Sequence, residues 1–379
     1  MIAPLFRTLG CPYAEIWLPG YLRREAGRWL RPRVHTPRHL IFCFVDHYEP
    51  HVGRVDDAAA RRRLEAWLEQ YPRIADRHGD SAGRPPAHSF FYPYDEMEPG
   101  ELRDLAALCA SGCGELEIHL HHHDDTSETL RARLRGAVDR WREVGALGRW
   151  PSAGRPAFGF IHGNWALDNS RRENGRNYCG VNDEITLLAE EGCYADFTFP
   201  ALAHMAQPRQ SNSIFYAADD PLRPKSYDRG AEVRVGGPPS GDLMIVQGPL
   251  CIYRRPGRFL PRPEDGDITG ANPATPARVD AWVRTAIHLP GRPEWVFVKV
   301  HTHGAADRNL AGLLGGGFEA LFSDLERRYN DGRRWRLHYV TARETYNIIK
   351  AAEAGHSGAP SAYRDFVITS PTARVAALT

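Results

Sequence analysis

Two hydrophobic periods trade places along this chain. Residues 39–46 form a near-continuous apolar run of strand length, the mark of a strand buried on both faces of a parallel sheet. Residues 56–77 then set Leu64, Trp67, Leu68, Tyr71 and Ile74 on one helical stripe. A short strand is predicted at 88–92 and a helix at 99–110. Residues 115–121 follow as a strand in which Leu116, Ile118 and Leu120 alternate with Glu117, His119 and His121. A helix over 126–144 has Thr126 or Ser127 as its cap. Strand, helix and strand recur at 157–161, 182–191 and 193–198. The rhythm breaks over residues 200–240, where a segment rich in Pro, Arg and Gly reads as an insertion over one end of the fold. It resumes with a strand at 243–246, and a loop over 254–276 leads to a helix at 277–288. The last units are a strand at 295–301, a helix at 310–329, a strand at 336–340 and a helix at 342–354. This alternation specifies an α/β architecture with a mainly parallel sheet.

Three domain-level pieces result. Residues 1–37 form an N-terminal extension with one helix near 21–30, residues 38–354 the α/β unit, and residues 355–379 a loosely attached tail. The 379 residues are 42% hydrophobic, enough for a sizeable core, and carry a net charge of +1. Such a balance argues against general affinity for nucleic acid or an anionic membrane. Lysine is confined to Lys225, Lys299 and Lys350, a skew that fits a GC-rich genome. Seven scattered cysteines with no CxxC pair point to a reducing compartment. With no signal-peptide pattern and no apolar run of membrane length, the expected location is the cytoplasm. The sequence does not indicate an oligomeric state.

Chemistry gathers where strands end. Asp46 and His47 close the first strand, His119 to Asp125 the third, and His301-Thr302-His303 a late one. In α/β folds the loops at the carboxyl ends of the strands meet at one face, so these groups are expected to converge. His119, His121 and His123 share a strand face, and two imidazoles roughly 6.5 to 7 Å apart along a strand can lean toward one cation. The alternative is a solvated strand end. A metal held by His119, His121 and a carboxylate would lower the pKa of a bound water to about 7. Asp46 could then act as general base and His301 or His303 as general acid, which describes ester or amide hydrolysis.

The fragments Phe44-Val45-Asp46, Pro86 to Tyr92, Glu117 to His123, Glu191 to Asp196 and Val298 to His301, in that order, resemble the NodB-homology polysaccharide deacetylases, carbohydrate esterase family 4. The resemblance spans roughly residues 38–352. It implies a distorted (β/α)7 barrel, here with an N-terminal extension and long loop insertions, that removes acetyl groups from sugars with a divalent metal. The metal would be zinc first, with nickel, cobalt or manganese as other candidates, and the partner an acetylated sugar or glycan. Carried over, Asp46 matches the general base and His47 the place of a metal ligand, with Glu49 or Asp46 as other choices. The histidine pair spaced by four falls on His119 and His123, or in another register on His121 and Asp125. His301 matches the general acid, with His303 competing. The family's arginine motif has no counterpart near Phe158 to Trp165; His162, Asn164 and Trp165 are expected to line the site instead, Trp165 as a sugar platform. Asp196 is expected either to face the pocket or to cap the next turn, and Arg223, Lys225 and Arg229 either to bind an acidic sugar or a nucleotide diphosphate or to stay solvated on an exposed loop. Two other classes are compatible: a catalytically silent glycan-binding or scaffold relative, and an amidohydrolase or phosphoesterase barrel.

Overall fold

The computed structural model describes residues 13–29, 34, 37–151, 154–257 and 259–372. Its principal strands are β1 (Arg38–His47), β2 (His88–Pro93), β3 (Gly114–Leu120), β4 (Pro156–His162), β5 (Cys193–Asp196), β6 (Ile214–Ala217), β7 (Leu243–Val246), β8 (Trp295–Thr302) and β9 (Trp335–Val340). The helices are α1 (Ala14–Trp29), α2 (Asp57–Ala75), α3 (Pro99–Leu108), α4 (Ser127–Glu143), α5 (Glu184–Glu191), α6 (Pro276–Thr285), α7 (Asp307–Gly312), α8 (Phe318–Tyr329) and α9 (Ala342–Glu353). Among the described residues no helix is long and apolar enough to cross a membrane.

One sheet runs β6-β7-β5-β4-β3-β2-β1-β8, with β9 also paired to β1. Residues 38–43 of β1 pair with β9 and residues 44–47 with β2, so these two neighbours share one edge of β1 in succession. Pairing among the principal strands is parallel except between β6 and β7. The expected seven-stranded barrel is not what forms: β7 and β8 do not pair, and the sheet stays open.

α9 packs on the inner face of this sheet. Nearly all of its residues are buried, and Ala342, Tyr346, Ile348, Ile349 and Ala352 share a core with the inward side chains of the strands. Tyr346 packs on Tyr194 of β5, Tyr216 of β6 donates to Glu353, and Arg343 pairs with Glu115 of β3. Lys299 of β8 bridges part of the gap, its Nζ donating to the carbonyls of Phe197 and Phe199.

Strand alternation sorts the side chains into two cores. Ile41, Cys43, Val45, Phe91, Ile161 and Phe297 join the inner layer with α9. Leu40, Phe42, Phe44, Phe90, Leu116, Ile118 and Phe160 join the outer layer with Leu64 and Trp67 of α2, Leu130 of α4 and Phe318 of α8. The same parity sends Asp46 outward and His47 inward.

The flanking segments depart from expectation. The N-terminal helix starts at Ala14, with Trp17 and Tyr21 buried against Leu250; Leu30 and Pro32 lie outside the described residues. The 200–240 segment contributes β6 to the sheet itself. The helix expected over 310–329 is interrupted by a turn at Leu313–Gly317, where Gly316 has φ 117°. The tail is anchored as far as it is described: Arg364 bonds to Glu344, Asp80 and the Tyr339 carbonyl, and Ile368 is fully buried.

Candidate metal centre

The carboxyl ends of β1, β3 and β8 meet above the inner face, and Glu49 is the group they share. Two residues beyond the end of β1, its Oε1 lies 3.0 Å from His119 Nε2 and 3.1 Å from His121 Nε2. Its Oε2 lies 3.3 Å from His303 Nδ1. His47 stands beside them, its ring 4.6 Å from that of His303 and 5.1 Å from that of His119. His47, Glu49 and His119 are all buried, and each offers a ligand atom within 4.8 Å of the others. Among the described residues neither His47 Nδ1 nor His119 Nδ1 has a hydrogen-bond partner. Two imidazoles, a carboxylate and unpaired ring nitrogens in one buried cluster are a donor set that fits a divalent ion.

Burial would push the Glu49 carboxyl up, but hydrogen bonds from His119, His121 and His303 overcome it and hold the group well below the usual carboxylate range. His47 is driven well below the usual imidazole value by burial and by its neighbours His303 and His119, so it is neutral, the form that binds metal. His121 behaves in the opposite way. Burial pulls it down, but Asp95 and Glu49 raise it to about 10. Asp95 accepts from the His121 backbone N–H at 2.8 Å and meets its Nδ1 at 3.2 Å.

The cluster opens at His121 and His303, whose side chains are 26% and 31% exposed. Trp165, held at φ 53°, forms an adjacent wall: its ring is 4.9 Å from His47 and stacks nearly parallel on His204 at 5.7 Å. His301 is buried beneath, its ring 6.2 Å from His47 and 5.9 Å from Trp165.

Other expected site residues go elsewhere. Asp46, on the outer parity of β1, accepts from the Gly304 N–H at 2.7 Å and meets His88 Nε2 at 3.0 Å, which turns both oxygens away from Glu49. β3 ends at Leu120, so His123 is off the strand; it is half exposed and faces Asp124. His162 packs on His122 in the outer layer, and Asn164 Nδ2 donates to the His122 carbonyl. Asp196 is fully buried, bonded to the Thr198 hydroxyl and amide. Burial raises its pKa to about 7, and burial lowers that of nearby Lys299 to about 8. Arg223 is largely exposed beside Asp220, and Lys225 Nζ caps the carbonyls of Met205 and Gln207. Asp95 was not anticipated from the sequence, although it stands two residues past the end of β2, where the strand-end rule applies equally.

No protein-family model matches this chain, and no curated protein matches it.

Proposed function

We propose that this protein is a metal-dependent hydrolase, with an N- or O-acetylated sugar or glycan as its substrate and zinc as its first candidate ion. The observation that carries the reading is the meeting of Glu49 with His119, His121 and His303 beside neutral His47. His47, Glu49 and His119 would hold the ion. Bound there, it supplies a Lewis acid for the scissile carbonyl and for a water molecule.

The protein's own groups divide the proton work by their carboxylates. His121 keeps Asp95 as a partner even when Glu49 is engaged, and that contact suits it to serve as the acid for the leaving group. Among the described residues Glu49 is the one carboxylate that hydrogen-bonds His303, so engagement of Glu49 frees it to accept a proton. Trp165 offers an aromatic wall for a sugar ring, which is why a carbohydrate is preferred over another acyl compound. Asp46 has no place in this division, because its oxygens serve Gly304 and His88. That same engagement favours the second reading, a silent glycan-binding relative.

Metal content and acetate release from N-acetylated oligosaccharides, in wild type and in Glu49→Ala, test the proposal. Wild type should bind a divalent ion through this centre and release acetate, and Glu49→Ala should lose both. Metal content unaffected by Glu49→Ala would remove the centre. Metal without acetate release would leave the binding protein.

A further inference from the structure

A second cluster lies in the outer layer, separate from the Glu49 centre. His122 follows β3, His162 ends β4, Cys179 sits in the connecting loop and Glu184 opens α5. All four are buried, and each offers a ligand atom within 4.8 Å of the others. Glu184 Oε1 is 2.9 Å from His122 Nε2 and 3.9 Å from His162 Nε2, while Oε2 is 3.3 Å from Cys179 Sγ. Tetrahedral zinc with bonds of about 2.0 to 2.3 Å sets its ligand atoms roughly 3.3 to 3.7 Å apart, so the cluster needs only small shifts.

Two further observations point to an ion. His162 Nε2 is fully buried, aimed into the cluster, and has no hydrogen-bond partner among the described residues. His122 Nδ1 lies 3.2 Å from Asp125 Oδ2 without a hydrogen bond between them, so a small rotation of the ring on ligation would bring that carboxylate into the place from which an outer group fixes a ligating histidine. Ligation through His162 Nε2 puts its proton on Nδ1, where the Asn164 N–H now points at 3.2 Å, so the 162–164 turn must rotate on loading.

We propose that His122, His162, Cys179 and Glu184 hold a second ion of the zinc class, and that it ties the 163–183 loop to the ends of β3 and β4. Four buried ligands leave no open position, which assigns the ion a structural rather than a catalytic role. The loop has reason to need it. Trp165, Asp168, Asn169, Asn174, Gly175 and Gly180 all have positive φ, and its regular structure among the described residues is one pair of two-residue strands. Trp165, the wall of the Glu49 centre, is carried by this loop three residues after His162.

The test loads the full chain with Co(II) and reads bound cobalt and the near-ultraviolet thiolate-to-cobalt charge-transfer band. Wild type should bind two equivalents and show the band. Cys179→Ser should lose the band and one equivalent, whereas Glu49→Gln should keep the band and lose the other. Cobalt-loaded wild type without the band overturns the inference, and this needs no variant to fold. A band with no effect of Glu49→Gln on bound cobalt would sink the first centre and leave the second standing.

Discussion

The Asp46 carboxylate accepts the Gly304 backbone N–H at 2.7 Å, joining the end of β1 to the turn that follows His303. Its other oxygen meets His88 beneath Trp67, so the group works as a buried brace. Asn can fill the same role, its oxygen accepting from Gly304 and its amide donating to His88. Asp46→Asn is therefore expected to fold within about 1 kcal/mol of wild type and to keep metal and activity. Asp46→Ala leaves a buried amide and imidazole unpaired and should cost about 1–3 kcal/mol in urea unfolding. A fall of about 10² to 10⁴ in acetate release for Asp46→Asn, with metal retained, would instead restore Asp46 as the general base.

Gly304 carries a companion prediction. A Cβ there would lie 2.2 Å from Asp46 Oδ2 and 2.8 Å from Trp67 Cζ2, and Asp46 and Trp67 are both fully buried. Gly304→Ala must push the turn outward, which moves His303 off Glu49. We expect about 1–3 kcal/mol of destabilisation from overpacking, with weakened metal retention read by dialysis against a chelator. Wild-type stability in this variant would show that the turn is softer than its burial implies.

The strands were legible because their apolar runs had nowhere to go but between two layers. The alternation in β3 correctly turned His119 to one face and Leu116, Ile118 and Leu120 to the other. The same rule, applied to β1, separates Asp46 from His47, yet the resemblance treated the two as a unit. Past a strand end the period is lost. Glu49 and His121 to His123 fall in that gap, so which of them turns inward is set by the path of the chain after β1 and β3. The burial of α9 was not legible either. The buried residues of α9 look like one more amphipathic stripe, and nothing local says that both sides of the helix are covered.

A buried ion pair anchors the long 254–276 loop to α6. Arg278 is 1% exposed and makes bidentate contact with Glu264, at 2.9 Å to Oε2 and 2.7 Å to Oε1. Trp282 Nε1 also donates to Glu264 Oε1, at 2.8 Å, and Arg278 reaches the carbonyls of Asp267, Asn272 and Pro273. Arg278→Leu strands the Glu264 charge and should cost about 3–5 kcal/mol by urea unfolding. Adding Glu264→Gln to it should recover part of that loss. Equal stabilities of the single and double variants would mean that the charge is not the cause.

Glu117 supplies the pH prediction. It is fully buried on β3, and burial holds its pKa up at about 8 despite hydrogen bonds from Tyr194 and the Gly159 N–H. In the unfolded chain a glutamate titrates near ~4.3. Between about pH 4.3 and 8 the folded protein binds more protons here than the unfolded one, so this group's contribution to stability falls as pH rises through that window. Above pH 8 the penalty is complete, and below pH 4.3 it is absent. Gln at this position can accept from Gly159 and donate to the Tyr194 oxygen, and it carries no charge to bury. Glu117→Gln should therefore melt close to wild type near pH 5 and several degrees above it near pH 8.5, as followed by circular dichroism. A melting difference that stays constant across that range would mean that Glu117 does not titrate between the folded and unfolded states as its burial requires.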